Sequence, residues 1–122
     1  MANAYKGYRN LKAWEKANKL AHLVYDATEN FPKSEIFGLT SQMRRAALSV
    51  PANIAEGYMR SSQKDRKHFY NIALASLSEL EYYIDFALER KFYKDNTHNQ
   101  LTSIQTETGK VLTGLIKSFN KA

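Results

Sequence analysis

The chain has 122 residues, no cysteine and a formal net charge of +6, which fits one domain and leaves little room for two. The lack of cysteine excludes disulfides, thiolate nucleophiles and cysteine metal sites. No run of about 18 apolar residues occurs, and the lysine-dotted N-terminus lacks the apolar stretch of a signal peptide, so a cytoplasmic protein with no membrane span is expected.

The charge excess is one-sided. Residues 1–67 carry 12 Lys/Arg against 6 Asp/Glu, whereas residues 68–122 carry 6 of each. Such asymmetry points to an anionic partner, chiefly nucleic acid or acidic lipid, beside the plainer reading of a solubilising surface.

The first helix is expected over residues 10–30, with Asn10 as its N-cap. Trp14, Ala17, Ala21, Val24, Thr28 and Phe31 recur at spacings of three and four and mark one buried face; Pro32 ends it. The second pattern covers residues 36–59, with Leu39, Met43, Ala46, Val50, Ile54 and Tyr58 as its stripe. Pro51 lies inside it, removes a backbone donor and predicts a kink over residues 47–51 or a restart there. Gly57 is either a cap or a close packing point. The third pattern opens on Ser62 with Asp65 three residues later, a capping-box arrangement. It holds its period through Phe69, Ile72, Ala73, Ser76, Leu80, Tyr83 and Ala87 to about Phe92. Residues 94–100 are polar and read as the last turn. The fourth pattern carries Leu101, Ile104, Thr108, Val111, Leu115 and Phe119, weakened by threonines and Gly109. No alternating run reads as a strand. The expected fold is all-α: one antiparallel up-down-up-down four-helix bundle over residues 1–122.

Catalytic chemistry finds little support. The one acidic-His pair at helical spacing is Asp65 with His68, and His22, His68 and His98 lie on separate segments, so neither a metal nor a cofactor is expected. No Ser/His signature and no phosphate-cradling glycine loop occurs. Glu79, Glu81, Asp85 and Glu89 read as a solvated edge rather than an acid–base pair. The basic groups are more informative. Arg9, Lys12, Lys16 and Lys19 fall within an arc of about 80° at helical spacing. Arg60, Lys64, Arg66 and Lys67 cluster at the turn into the third helix. Both groups are candidates for phosphate contact, with Tyr5, Tyr8 and Tyr70 as candidates for base stacking; a solvated face and aromatic staples are the plainer readings.

Residues 42–57, QMRRAALSVPANIAEG, place two adjacent arginines, a proline, an asparagine and a glutamate in one helix. This segment resembles the signature of the four-helix bundle proteins encoded within intervening sequences of bacterial 23S ribosomal RNA genes. The opening Tyr8-Arg9-Asn10-Leu11-Lys12-Ala13-Trp14, the stretch Phe31-Pro32 to Gly38-Leu39-Thr40, and Ser76-Leu77-Ser78-Glu79-Leu80 extend the likeness over residues 8–93. Ala75 stands where that family often has glycine, which predicts a small packing shift. The resemblance implies an antiparallel bundle, a ring-shaped homopentamer and no catalytic residues. A more distant likeness, to the accessory variability determinant of diversity-generating retroelements, implies a reverse transcriptase or another protein as partner, and nucleic-acid binding by analogy.

Two further expectations concern contacts. Arg44, Arg45, Asn53, Glu56 and Glu79 form a structural polar network inside or between bundles; Arg45 and Glu56 lie about 16 Å apart along one helix and each needs a group on another helix or subunit. On the third helix the apolar positions span about 200°, wider than one core face requires, so Leu74, Leu77 and Leu88 are expected nearer a subunit interface than the bundle centre. The reading is a non-enzymatic basic bundle that assembles with itself and binds RNA or DNA. A structural scaffold for another protein is the alternative.

Overall fold

A computed structural model of the chain describes residues 4–120. A 3-10 segment, Ala4–Asn10, leads into α1 (Lys12–Thr28). A short 3-10 turn, Lys33–Glu35, precedes α2 (Leu39–Tyr58), and α3 (Gln63–Glu89) and α4 (Asp95–Ser118) follow. There is no strand among the described residues. Each helix packs on its sequence neighbours and α4 closes back on α1, with no diagonal pair in contact. Thr28 meets Arg44, Ser49 meets Ser76, Leu77 meets Gln105, and Lys16 meets Glu107. The chain is all-α and four-helical, as the periodicities predict.

The core is built from the inward stripes. Leu20 and Val24 of α1, Met43, Val50 and Ile54 of α2, Leu80 and Ile84 of α3, and Leu101 and Leu112 of α4 are essentially inaccessible. Alanines at 13, 17, 21, 46, 47, 73 and 87 are also buried and let the helices approach closely. Phe31, in the α1–α2 connection, lies 5.2 Å from Phe92 and 5.7 Å from Tyr93 in the α3–α4 connection. These aromatics close one end of the bundle.

Several helix ends depart from expectation. Asn10 is not the N-cap of α1. The 3-10 segment hands its hydrogen bonds straight to the helix, Leu11 N to Tyr8 O at 3.0 Å and Glu15 N to Leu11 O at 3.0 Å, so Leu11 takes the cap position without a side-chain bond. α4 starts at Asp95, not near Leu101. The polar stretch read as a turn is its first two turns, with an acidic residue where the helix dipole favours one and His98 Nε2 2.8 Å from Asp85 Oδ1. Ser62 does cap α3, accepting from Asp65 N at 3.1 Å. α2 passes through Pro51 without restarting. Asn53, two residues past Pro51, sends its side-chain amide to Ser49 O at 2.8 Å.

Most of the wide apolar arc of α3 is covered within the chain, and Ile72 at its edge stays exposed. α3 lies between α2 and α4 and packs on both, so two neighbours share its apolar positions. Leu77 is 3% exposed and belongs to the core, which corrects its expected place at a subunit interface. Leu74 is half-buried and packs against that core, and Leu88 is half-buried too. Tyr70, rather than Phe69 or Ile72, fills the first turn of the buried face. Ala75 is exposed, so its methyl group produces no packing shift.

α3 ends in a Schellman motif: Phe92 N donates to Ala87 O at 2.9 Å and Lys91 N to Leu88 O at 2.8 Å. Lys91 therefore takes φ 62°, a conformation that a lysine Cβ disfavours. Replacing Lys91 with glycine should raise stability by about 0.5–1 kcal/mol, read as a higher urea midpoint. Beyond it, the Tyr93 hydroxyl donates to Ile84 O, and burial, with Asp85 nearby, pushes its pKa well above the ordinary tyrosine value. A tyrosine held protonated by the fold stabilises it below the unfolded-state pKa of about 10 and loses that contribution as pH rises further. Thermal unfolding should thus fall in temperature above about pH 10, and Tyr93→Phe should flatten that fall while lowering stability by about 1 kcal/mol at neutral pH.

Candidate nucleic-acid interface

The basic residues are positioned by one set of contacts at the end where α1 and α3 begin and α2 and α4 finish. Gly57, in the last turn of α2, is buried. A methyl group there would lie 2.7 Å from Tyr70 Cε1 and 3.0 Å from Arg66 O, so Gly57 is the close packing point and not the cap. Tyr70 in turn stacks on Phe119 at the end of α4, centroids 5.8 Å apart, and Lys67 Nζ donates to Asn120 Oδ1. The N-terminal 3-10 segment packs on α2 as well as α1, with Gly7 against the Tyr58 ring.

Two basic clusters some fifty residues apart in sequence therefore share one end. Arg9 comes from the 3-10 segment and Lys12 from the start of α1, Arg60 from the α2–α3 turn, and Lys64, Arg66 and Lys67 from the first two turns of α3. Lys117, in the last turn of α4, joins them. It was missed because its own segment has balanced charge; the antiparallel order of the helices was the signal that could have placed it. Glu15, Glu56 and Asp65 are the nearby acids.

Several of these cations are held. The Arg9 guanidinium lies 4.9 Å from the Trp14 ring centroid and 5.8 Å from that of Tyr8. Arg60 lies 4.7 Å from the Phe69 centroid and pairs with Glu56 at 3.2 Å. Arg66 Nε donates to Arg60 O at 2.7 Å. Stacking on rings and bonds to backbone fix the direction of a guanidinium without cancelling its charge. Lys12 and Lys64 are exposed and make no ion pair among the described residues. Lys16 is different: it pairs with Glu107 at 3.7 Å and faces α4. Lys19 is exposed but a further turn or more along α1, so the four-residue stripe on α1 divides.

Of the tyrosines expected to stack on bases, Tyr70 is 2% exposed and cannot. Tyr8 packs edge-on to Trp14, centroids 5.2 Å apart. The side chain of Tyr5 lies outside the described residues.

The polar residues of α2 form separate arrangements rather than one network. Arg44 Nε donates to Thr28 Oγ1 at 2.9 Å and its guanidinium sits 4.6 Å from the Tyr25 centroid, tying α2 to α1. Ser49 and Ser76 share a hydrogen bond at 2.7 Å, and Asn53 reaches Ser49 Oγ at 3.0 Å, tying α2 to α3. Arg45 and Glu79 line the same groove as those serines, with no ion pair within 4 Å among the described residues. Glu79 accepts from the Tyr83 hydroxyl at 3.2 Å; burial, then this bond, raises the Tyr83 pKa. Glu56 was expected to need another helix or subunit. It pairs instead with Arg60, one turn on, because Arg60 lies just past the helix end. Among the described residues, no group of three or more His, Asp or Glu could hold a metal ion, and no helix is long and apolar enough to cross a membrane.

An all-α bundle with one end rich in oriented cations defines the class. The 23S rRNA-intervening sequence protein family matches residues 9–114, and the chain belongs to that family. Among solved structures it is similar to a protein with unknown function from the S23 ribosomal protein family of Bacteroides thetaiotaomicron. The two are 25% identical with a TM-score of 0.77, over 86% of this chain and 98% of that one. No curated protein matches the chain.

The Gly57 contact can be tested directly. Gly57→Ala forces Tyr70 or the α3 backbone to move and should cost about 1–3 kcal/mol, measured by urea unfolding. The same variant should loosen the α2–α3 turn, seen as faster amide exchange at residues 58–66.

Proposed function

We propose that the chain is a non-enzymatic, cytoplasmic bundle that assembles with itself and binds nucleic acid, structured RNA or an RNA–protein complex, through its basic end. The observation that carries this reading is the convergence of Arg9, Lys12, Arg60, Lys64, Arg66, Lys67 and Lys117 at one end. Clustered Lys and Arg release counterions from a phosphate backbone and supply most of the affinity in such complexes. Stacked guanidiniums are pre-oriented, which lowers the ordering cost of each contact. The family's name ties it to intervening sequences of 23S rRNA, in keeping with a structured RNA as ligand. The alternative, a scaffold for another protein, draws on the exposed Ile36 and Phe37.

Fluorescence anisotropy with labelled RNA and DNA in a salt series tests the reading. Log Kd should rise linearly with log salt, each neutralised phosphate adding about 0.7–0.9 to the slope. Replacing Lys12, Lys64 and Lys67 with Glu should lower the slope by about 2–3 without loss of helix content. Lys19→Glu should leave the slope essentially unchanged, well under the step of one phosphate contact. No binding to mixed RNA and DNA at low salt would remove the reading in favour of the protein scaffold.

A further inference from the structure

The cleft between α3 and α4 runs towards the basic end. It holds about 560 Å³ and is lined by both helices, from Glu81 and Gln105 to Lys117. Gln105 and Lys117 lie about 18 Å apart along α4 at helical rise. Lys117 also stands at the basic end, so the cleft continues that cationic surface. Gly109 and Gly114 lie on its α4 wall. Glycine inside a helix costs helix stability, and nothing within the chain requires these two. A methyl group at Gly114 would meet no atom within 4 Å, and one at Gly109 would meet only Leu77 Cδ2 at an ordinary 3.6 Å. Without side chains there, the α4 wall is open to a flat ring, and half-buried Leu74 lines the cleft from α3.

The polar lining is divided. At one end stand two acceptors. Glu81 is exposed and makes no ion pair among the described residues. Gln105 is 5% exposed; its amide Nε2 donates to Leu77 O at 2.9 Å, but its Oε1 is buried with no donor among the described residues. A buried acceptor left unpaired is costly. Both groups call for a ligand that donates. Lys110 and Lys117, further along α4, are exposed and make no ion pair among the described residues; they call for an anion. An apolar side chain from a protein supplies neither. A nucleotide supplies a flat ring for the glycine wall, an amino edge for the acceptors and a phosphate for the lysines.

We infer that the α3–α4 cleft takes one unpaired, amino-bearing base of a nucleic-acid strand whose phosphates lie on the basic end. This rests on the nucleic-acid reading above and adds the site that reads a base. The ring lies on the α4 backbone at Gly109 and Gly114, with Leu74 on its other side. Glu81 accepts from the exocyclic amine, as carboxylates do from cytosine N4. Lys110 and Lys117 hold the flanking phosphates. Gln105 Oε1 is covered, so pairing it takes a side-chain shift, and Glu81 is the acceptor at the surface. A base inside a duplex cannot enter, because its amine is paired and both its faces are stacked. Uracil presents a carbonyl where cytosine presents the amine, and a carbonyl gives a carboxylate nothing to accept.

The test uses the full chain at neutral pH with labelled oligo(C), oligo(U) and a blunt duplex, each of about eight nucleotides, read by fluorescence anisotropy. Oligo(C) should bind at least about 10-fold more tightly than oligo(U). Glu81→Gln should bring that ratio below about 3-fold, since an amide donates as readily as it accepts. Gly114→Leu puts a side chain into the cleft without a clash in the chain. It should weaken oligo(C) binding at least about 10-fold, the loss expected of one base contact, and leave duplex binding essentially unchanged. Free cytidine monophosphate should compete at least about 100-fold less well than oligo(C), having one phosphate in place of several; equal potency would make a free nucleotide the ligand and overturn the strand. Circular dichroism and light scattering should find both variants as helical and of the same mass as the unmodified chain. A changed mass in Gly114→Leu would mean that another copy covers the cleft, which overturns the base site. If no nucleic acid binds at low salt, the nucleic-acid reading fails and this inference with it. If strands bind but oligo(C) and oligo(U) do so equally, or Gly114→Leu leaves oligo(C) unaffected, the basic end stands as the binding surface and the base site is overturned.

Discussion

Gly57 lies where α2 ends and the ring of Tyr70 presses on its backbone, and much of the molecule's organisation depends on that approach. A side chain there would hold α2 and α3 apart. With none, Tyr70 can lie inward, 2% exposed, and stack on Phe119. The termini of α2, α3 and α4 are thereby drawn to one place, and Gly7 against Tyr58 brings the start of the chain to the same end. The basic residues follow passively. Their convergence results from which backbones can touch.

The seams between helices use different chemistry. Between α1 and α2, Arg44 spans from Thr28 to the face of Tyr25. Between α2 and α3, two serines and Asn53 satisfy one another, so hydroxyls sit half-buried at little cost. Between α3 and α4, Gln105 satisfies only half of its amide. The seam that is least complete is also the one whose helix carries two glycines without a packing reason in the chain. Incomplete satisfaction and spare space coincide there.

The sequence by itself determined the fold class, because periods of three and four residues in four segments admit only helices with one inward face. It determined the Ser62 cap, since a side chain three residues from its backbone partner needs no tertiary help. It also carried the family, through residues 42–57. Only the tertiary structure decided that Leu77 is core rather than interface, because a helix flanked on two sides buries an arc that one neighbour would leave exposed. It alone sorted Lys16, paired with Glu107, from Lys12, and removed Tyr70 from the candidate site by burying it. Local periodicity says which face of a helix is apolar. Which of two charged or aromatic neighbours meets another helix depends on rotations and separations that only the packed bundle sets.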